Sequence, residues 1–359
     1  MNHEARVKKL QDSLHEHEVD ALFVVDLDNV RYLTGFSGSN GQVVITSETA
    51  WFLTDGRYRA RAQETVRAAE VVVYSDSALV PLKDRLATEG VVGRVGIEAS
   101  TVTVAERGRF AAKLEGSELV ETTGVVEALR RIKDEDEIRL MLRAVEIADA
   151  AFDWVLDRLV TGATEREVAL DLEVKMRREG ADEVSFTPIV GSGPLSAHIH
   201  HSPSDRSLER GDLVLLDFGC RVEGYCSDLT RTVCLGTASP EQKEMYATVL
   251  MAQLAGIEAV VPGARTSEAD AAARSIIDAA GHAEDFGHGL GHGLGLNVHE
   301  SPRLHWASGD TFMAGDICTV EPGIYVIGSG GIRIEDDVLV TGSGAEALTG
   351  APKKELIEL

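Results

Sequence analysis

Residues 213–235 read Leu-Val-Leu-Leu-Asp-Phe-Gly-Cys-Arg-Val-Glu-Gly-Tyr-Cys-Ser-Asp-Leu-Thr-Arg-Thr-Val-Cys-Leu. The apolar run Leu213 to Phe218 predicts a strand that carries a carboxylate, Asp217, near its end. A second strand-like run, Thr230 to Leu235, follows Asp228. Either acid alone is more often a turn former or a cap than a ligand. Two acids framing a strand pair make the rest of the chain worth searching for partners.

Further along, Ile332-Arg333-Ile334-Glu335-Asp336-Asp337 opens a run predicted as a strand from Ile332 to Val340. Ile332 and Ile334 share one face, while Arg333 and Glu335 share the other. In Thr319-Val320-Glu321-Pro322-Gly323, Glu321 lies on a predicted strand, Ile317 to Val326, that meets a Pro-Gly turn. Between these runs and Asp228 lies Phe286-Gly287-His288-Gly289-Leu290-Gly291-His292-Gly293-Leu294-Gly295-Leu296, followed by Asn297-Val298-His299-Glu300. A dinucleotide loop would need a strand before the glycines, a helix after them and an acid about 20 residues on; that order is not found. Glycine between histidines permits close approach of backbone and metal, which a core histidine does not require. Four acids and one imidazole, Asp217, Asp228, Glu321, Glu335 and His292, can together supply the bridging and terminal ligands of a two-metal hydrolase. Oxygen-rich ligation with a single imidazole favours Mn²⁺ or Co²⁺ over the sulfur and nitrogen set of structural zinc, with Zn²⁺ still able to enter.

Earlier in the chain, short apolar runs alternate with helical spacing. Ala21 to Val25, Gln42 to Ile45, Trp51 to Thr54, Val71 to Tyr74, Val91 to Ile97 and Leu119 to Glu121 predict strands. Helices are expected over Arg57 to Ala69, Val80 to Thr88 and Val104 to Leu114. This describes an α/β domain over residues 1–126, followed by the charged stretch Arg130 to Arg139 and a long helix through Ile138, Leu142, Val145, Ala148 and Phe152. Over residues 127–359, helices at Glu165 to Glu179, Pro240 to Val260 and Ser267 to Ala280 are interleaved with the strands above and with one over Val184 to Val190. Two domains also suit a chain of 359 residues.

The balance of 59 acidic against 35 basic residues, a formal charge of −24, disfavours nucleic acid and anionic membranes as partners. No apolar run is long enough to span a bilayer and no signal sequence opens the chain, so a cytoplasmic protein is expected. Cys220, Cys226, Cys234 and Cys318 form no C-x-x-C pair and are expected as reduced, buried strand residues. A thiolate metal site at Cys220 and Cys226, close to the acids, is the less favoured alternative.

Beyond these blocks, the phrase Asn29-Val30-Arg31-Tyr32-Leu33-Thr34-Gly35-Phe36-Ser37-Gly38-Ser39 completes a likeness over nearly the whole chain. The sequence resembles the Xaa-Pro dipeptidase (prolidase) and aminopeptidase P family, whose catalytic domain has the α+β pita-bread fold. By that resemblance Asp217 binds one ion through both oxygens, Asp228 and Glu335 bridge, and His292 with Glu321 complete the other ion. His200 matches the family histidine ahead of the first Asp, His299 the one after the glycine-rich block, His288 the other histidine of that block, and Arg333 the arginine of its R-I-E motif. His198 and His201 have no assigned counterpart.

The implied function is hydrolysis of Xaa-Pro bonds, with proline-containing peptides as substrates. Glu321 takes the proton of the attacking water, and His200 and His299 hydrogen-bond the oxyanion or substrate. A dipeptidase needs a cation for the proline carboxylate, for which Arg31, Arg57, Arg59 and Arg61 of the N-terminal domain, of the same or a neighbouring subunit, are the candidates; an aminopeptidase P, the alternative, leaves that side open. The resemblance also implies a homodimer. A methionine aminopeptidase is disfavoured by the large front domain, and a creatinase by the complete ligand set. A non-catalytic binding protein of the same fold remains as a reading of another class.

Overall fold

Apolar runs near the N-terminus are buried along their whole length, as in Ala21–Val24, and collect into one sheet. The structure, a computed structural model, describes residues 1–90 and 93–359. It divides into two compact units, Met1–Arg130 and Arg131–Leu359.

In the first unit a six-stranded mixed sheet runs in the order β4-β3-β2-β1-β5-β6. Its strands are β1 (Ala21–Val24), β2 (Gln42–Thr46), β3 (Ala50–Asp55), β4 (Glu70–Tyr74), β5 (Arg94–Glu98) and β6 (Glu118–Thr122). β2 pairs antiparallel with β1 and β3, and the outer pairings are parallel. Val91 and Val92, at the start of the expected fifth strand, lie outside the described residues. The helices are α1 (His3–Ser13), α2 (Leu27–Thr34), α3 (Arg59–Thr65), α4 (Leu79–Thr88) and α5 (Val104–Lys113), with α6 (Val125–Arg131) at the division. α2 was not anticipated, although its start is legible: Asp26 caps the backbone N–H groups of Asp28 and Asn29. The helix expected over Arg57 to Ala69 is shorter, because the chain turns extended at Val66 and buries that side chain.

The second unit carries α7 (Glu135–Leu156), α8 (Glu165–Arg178), α9 (Pro240–Glu258) and α10 (Thr266–Ala279). Asp134, Thr164 and Ser239 start the first three through capping boxes. Its strands are β7 (Glu183–Val184), β8 (Ile189–Ser192), β9 (Leu213–Phe218), β10 (Cys220–Val222), β11 (Tyr225–Cys226), β12 (Leu229–Cys234), β13 (Gly291–Gly293), β14 (Glu300–Leu304), β15 (Ile317–Val320), β16 (Gly323–Val326), β17 (Gly330–Arg333), β18 (Asp336–Thr341) and β19 (Gly344–Ala347). Among the described residues these strands pair antiparallel throughout. One core lies between α7, α8 and β8, β9 and β12, built on Ala148, Phe152, Leu172 and Leu216. A second lies between α9, α10 and the β13–β15–β18 sheet, built on Val249, Ala273, Leu290 and Val338. Each core thus backs one part of the strands that bear the acids.

Three predicted strands are broken. Val184 to Val190 is interrupted between β7 and β8, which join different sheets. Ile317 to Val326 breaks at Glu321-Pro322, where Pro322 has no N–H for a ladder. Ile332 to Val340 breaks at Ile334-Glu335. Glu335 therefore stands between β17 and β18 and not within a continuous strand. All four cysteines are free and buried, and burial pushes the Cys220 thiol up to about 12 and Cys318 higher still. Among the described residues no helix is long and apolar enough to cross a membrane.

Candidate metal centre

Strand register explains how distant acids meet. On β9 and β12, Asp217 lies opposite Thr230, and Asp228 is two residues before Thr230, so all three address one face. On β15 and β18, Val320 pairs with Asp336, which sets Glu321 across from Glu335 where both strands break. The Glu335 N–H donates to the Thr230 carbonyl at 3.1 Å, joining the two sheets, and its Oε2 accepts from Thr230 Oγ1 at 2.6 Å. His292 is the middle residue of β13, with its N–H on Thr319 Oγ1 at 3.1 Å and its Nε2 3.3 Å from Glu321 Oε1 and 3.8 Å from Asp228 Oδ2.

The glycines beside His292 serve a purpose different from the one expected. A Cβ on Gly291 would collide with the Thr319 carbonyl, and one on Gly293 with that of Ser301. They let β13 fit between β14 and β15, so their close approach is to neighbouring backbone.

All nine residues singled out in the sequence line one cavity of about 720 Å³: His200, Asp217, Asp228, His288, His292, His299, Glu321, Arg333 and Glu335. The rings of His292 and His299 meet edge to face at 4.3 Å. Burial pushes the His288 imidazole down to about 4, and its Nε2 lies 2.9 Å from the Tyr325 hydroxyl. Arg333 Nη1 donates to that hydroxyl at 2.9 Å, and its Nη2 bonds Asp217 Oδ2. Neither His198 nor His201 lines the cavity.

Three residues went unnoticed in the sequence. Tyr325 links His288 to Arg333 from the strand after Glu321; only its position behind Pro-Gly hinted at this. Arg231, on β12, donates through Nη1 to the main-chain oxygen of Glu335 and through Nη2 to Asp336 Oδ1 at 2.8 Å. Arg303 lies directly opposite His292 in the β13–β14 pair and lines the cavity. Its guanidinium has no hydrogen bond or ion pair among the described residues. By contrast Arg57 is paired with Asp55, and Arg61 donates to Ser37 Oγ.

The donor set fits divalent cations. Asp217 Oδ1 and Asp228 Oδ1 are buried without a hydrogen-bond partner, an arrangement that costs stability unless something positive meets them. One ligand atom each from Asp228, His292 and Glu335 lies within 4.8 Å of the others. No cysteine belongs to this group among the described residues, and the raised Cys220 thiol argues against the thiolate alternative.

Known proteins share the sequence pattern and the fold. Residues 139–342 match Metallopeptidase family M24, and residues 6–132 match the Creatinase/Prolidase N-terminal domain. The chain belongs to Metallopeptidase family M24. This M24 peptidase is 36% identical to the Xaa-Pro dipeptidase of Pyrococcus horikoshii, over 98% of each chain. It resembles the solved Xaa-Pro dipeptidase from Bacillus anthracis with a TM-score of 0.97 and 39% identity, each chain covered completely. It also resembles the X-Pro aminopeptidase from Thermotoga maritima, with a TM-score of 0.90, 34% identity, and 97% and 100% of the two chains covered. The second unit of the M24 peptidase is accordingly a pita-bread domain, and the protein is a metal-dependent peptidase.

In the chelated M24 peptidase the crowding of charge has a measurable pH signature. Burial first, then neighbouring negative charge, raises the carboxyls of Asp228 and Glu335; burial also raises Asp217 against the pull of Arg333, and Asp337. A carboxyl raised on folding holds its proton longer in the native state, so stability falls as pH rises from about 4 through the raised value. His292 acts in the same direction: burial lowers it, the Glu321 bond outweighs that, and its contribution is lost as pH rises through its raised value. Three groups oppose: His292 holds Glu321 down to about 2 despite burial, so its contribution is complete above the ordinary carboxylate range, and burial lowers the His288 and His299 imidazoles, whose contribution grows with pH and is complete above about 6.5, the ordinary imidazole value. The Tm of chelated protein is therefore expected to fall between about pH 6.5 and 8, by on the order of 5 °C, since 1 kcal/mol is worth about 2–4 °C at this domain size. Added Mn²⁺ should restore more stability at pH 8 than at pH 5, because binding needs ionised ligands. Calorimetry showing a flat or rising Tm without metal would contradict this assignment of charge.

Proposed function

We propose that the chain is a two-metal peptidase that hydrolyses the bond between a residue and a following proline, with Xaa-Pro dipeptides as preferred substrates. Asp217, Asp228, His292, Glu321 and Glu335 would hold the two ions, with Mn²⁺ the best match to the donors and Co²⁺ or Zn²⁺ as substitutes. When bound, such ions supply Lewis acidity and lower the pKa of water. Glu321, ionised down to low pH, accepts the proton of the attacking water and returns it to the proline nitrogen as the C–N bond breaks. His200 and His299, both on the cavity wall, donate to the developing oxyanion. Arg333 and His288 keep Asp217 and Tyr325 in place on the substrate side. Four apolar residues, Phe186, Ile189, Ile199 and Val298, complete the wall and suit a proline ring, whose tertiary amide offers no N–H.

The observation that favours the dipeptide is Arg303. An unpaired guanidinium directly across from His292 can meet the proline carboxylate at one residue's distance from the scissile bond. It joins Arg31, Arg57, Arg59 and Arg61 as a candidate for that contact. The likeness to an X-Pro aminopeptidase and the cavity of about 720 Å³ support a second reading, in which longer peptides bind. Free thiols throughout suit the reducing cytoplasm.

Proline release from an Xaa-Pro dipeptide, beside cleavage of an Xaa-Pro-Yaa tripeptide, tests both readings with Mn²⁺-loaded and chelated enzyme. The dipeptide is expected to be preferred, and Arg303→Met to raise its KM by about tenfold, as loss of a charge-assisted bond of roughly 1.5 kcal/mol implies. Preference for the tripeptide, with Arg303→Met indifferent, would instead establish an aminopeptidase. Inactivity on both with any of the three metals would end the proline reading.

A further inference from the structure

Glu165 is a fully buried carboxylate at the first position of α8, far from the acids in sequence and absent from the cavity wall. Its Oε1 accepts from Ser192 N–H at 2.8 Å and Ser192 Oγ at 2.6 Å. Its Oε2 accepts from Ser204 N–H at 3.0 Å and Ser204 Oγ at 2.6 Å, and lies 2.8 Å from His201 Nε2. Burial alone would raise this carboxyl, but these bonds outweigh it and hold the group below its usual range. One ionised side chain thus ties down both flanks of the segment between Ser192 and Ser204.

That segment delivers His200. The His201 N–H donates to the His198 carbonyl at 3.1 Å, closing a turn with Ile199 and His200 at its tip. The His200 ring lines the cavity and is exposed, with no hydrogen-bond partner of its own among the described residues. Its place is therefore set by the turn, and the turn by Glu165. The backbone reinforces this: Arg166 N–H donates to the Ser204 carbonyl at 3.1 Å and Glu165 N–H to the Arg206 carbonyl at 3.2 Å.

We propose that Glu165 is a positioning residue that holds the His198–His201 turn, through His201 and Ser204, so that His200 faces the reacting carbonyl. His201, otherwise without a role, is the donor that fixes the turn from within. The consequence for turnover rests on the reading of His200 given above; the hold on the turn does not.

Glu165→Gln in the full chain keeps the side-chain size but removes one acceptor oxygen, so either Ser192 or the Ser204–His201 pair loses its partner. Expected are faster hydrogen exchange confined to residues 193–206, unchanged exchange in β9 and β12, full metal content, and kcat lowered by roughly 100-fold, as small misplacement of a reacting group can do. Combined with His200→Ala, it should add little further loss, since both changes remove the same interaction. His201→Phe, which keeps the ring and drops the bond, should reproduce the effect more gently, and His201→Gln, which restores a donor, should rescue it. Unchanged exchange over 193–206 in both Glu165→Gln and His201→Phe would overturn the proposal, as would losses that multiply with His200→Ala. A loosened turn with normal turnover by His200→Ala would uphold Glu165's hold and remove His200 from the reaction.

Discussion

Asp228→Asn is expected to lower kcat/KM on an Xaa-Pro dipeptide by about a thousandfold or more, a loss of several kcal/mol of transition-state stabilisation. Metal content by elemental analysis should fall below two ions per chain. The change is nearly isosteric, and the Asp228 N–H would keep its bond to Asp337 Oδ2 at 3.1 Å. What changes is charge. Asp228 has one oxygen without a partner and the other 3.8 Å from His292 Nε2, so an amide NH₂ group would replace an acceptor where cations must sit. The same substitution should make the chelated protein more stable at neutral pH, because it removes a buried charge that Glu335 and Asp217 oppose. A variant with normal turnover and full metal content would remove Asp228 from the proposed ligands and sink the bridging arrangement.

Arg231→Met is expected to cost stability more than any change on the cavity wall, about 3–5 kcal/mol, the usual loss when one partner of a buried ion pair is deleted. Arg231 is fully buried and reaches the carbonyls of Thr230, Glu335 and Ala351 besides the carboxylate of Asp336. Asp336 keeps Lys353 and Gln253, but it is also buried; the Thr230 carbonyl keeps the Glu335 N–H, while the carbonyls of Glu335 and Ala351 lose the guanidinium. Because Glu335 lies in a gap between strands, Arg231 supplies part of what a continuous ladder would have given its backbone. Denaturant unfolding should show the loss, and Mn²⁺ affinity should weaken with it. A stability change within 1 kcal/mol, roughly what an ordinary surface substitution gives, would show that Lys353 and Gln253 satisfy Asp336 without Arg231.

Much of this was legible because the signals are local. Asp217 and Asp228 announce themselves at the ends of apolar runs, and His292 by the glycines on either side. The order of the elements followed from periodicity, with α7 the clearest case through Ile138, Leu142, Val145, Ala148 and Phe152. The breaks at Glu321-Pro322 and Ile334-Glu335 were hidden, since apolar residues continue past both and only pairing with another strand reveals the gap. Arg303 was hidden for a related reason: its place opposite His292 depends on a register shift between β13 and β14. Glu165 looked like an ordinary first-turn acid of a helix, and its partners Ser192, His201 and Ser204 lie 27 to 39 residues away. Apart from Arg303, the charged and imidazole groups on the cavity wall were readable from their motifs, whereas those that hold such residues in place were readable only from tertiary pairing.

The four buried cysteines also determine how the enzyme can be handled. Their sulfurs lie within strands or at strand ends, and the two whose thiols are most strongly raised form almost no thiolate at neutral pH. A maleimide or a disulfide reagent therefore meets a folded surface that offers it no native target. A single cysteine placed at Val104, which is 90% exposed, would become the sole attachment point for a dye or a tether, with every wild-type thiol left in place.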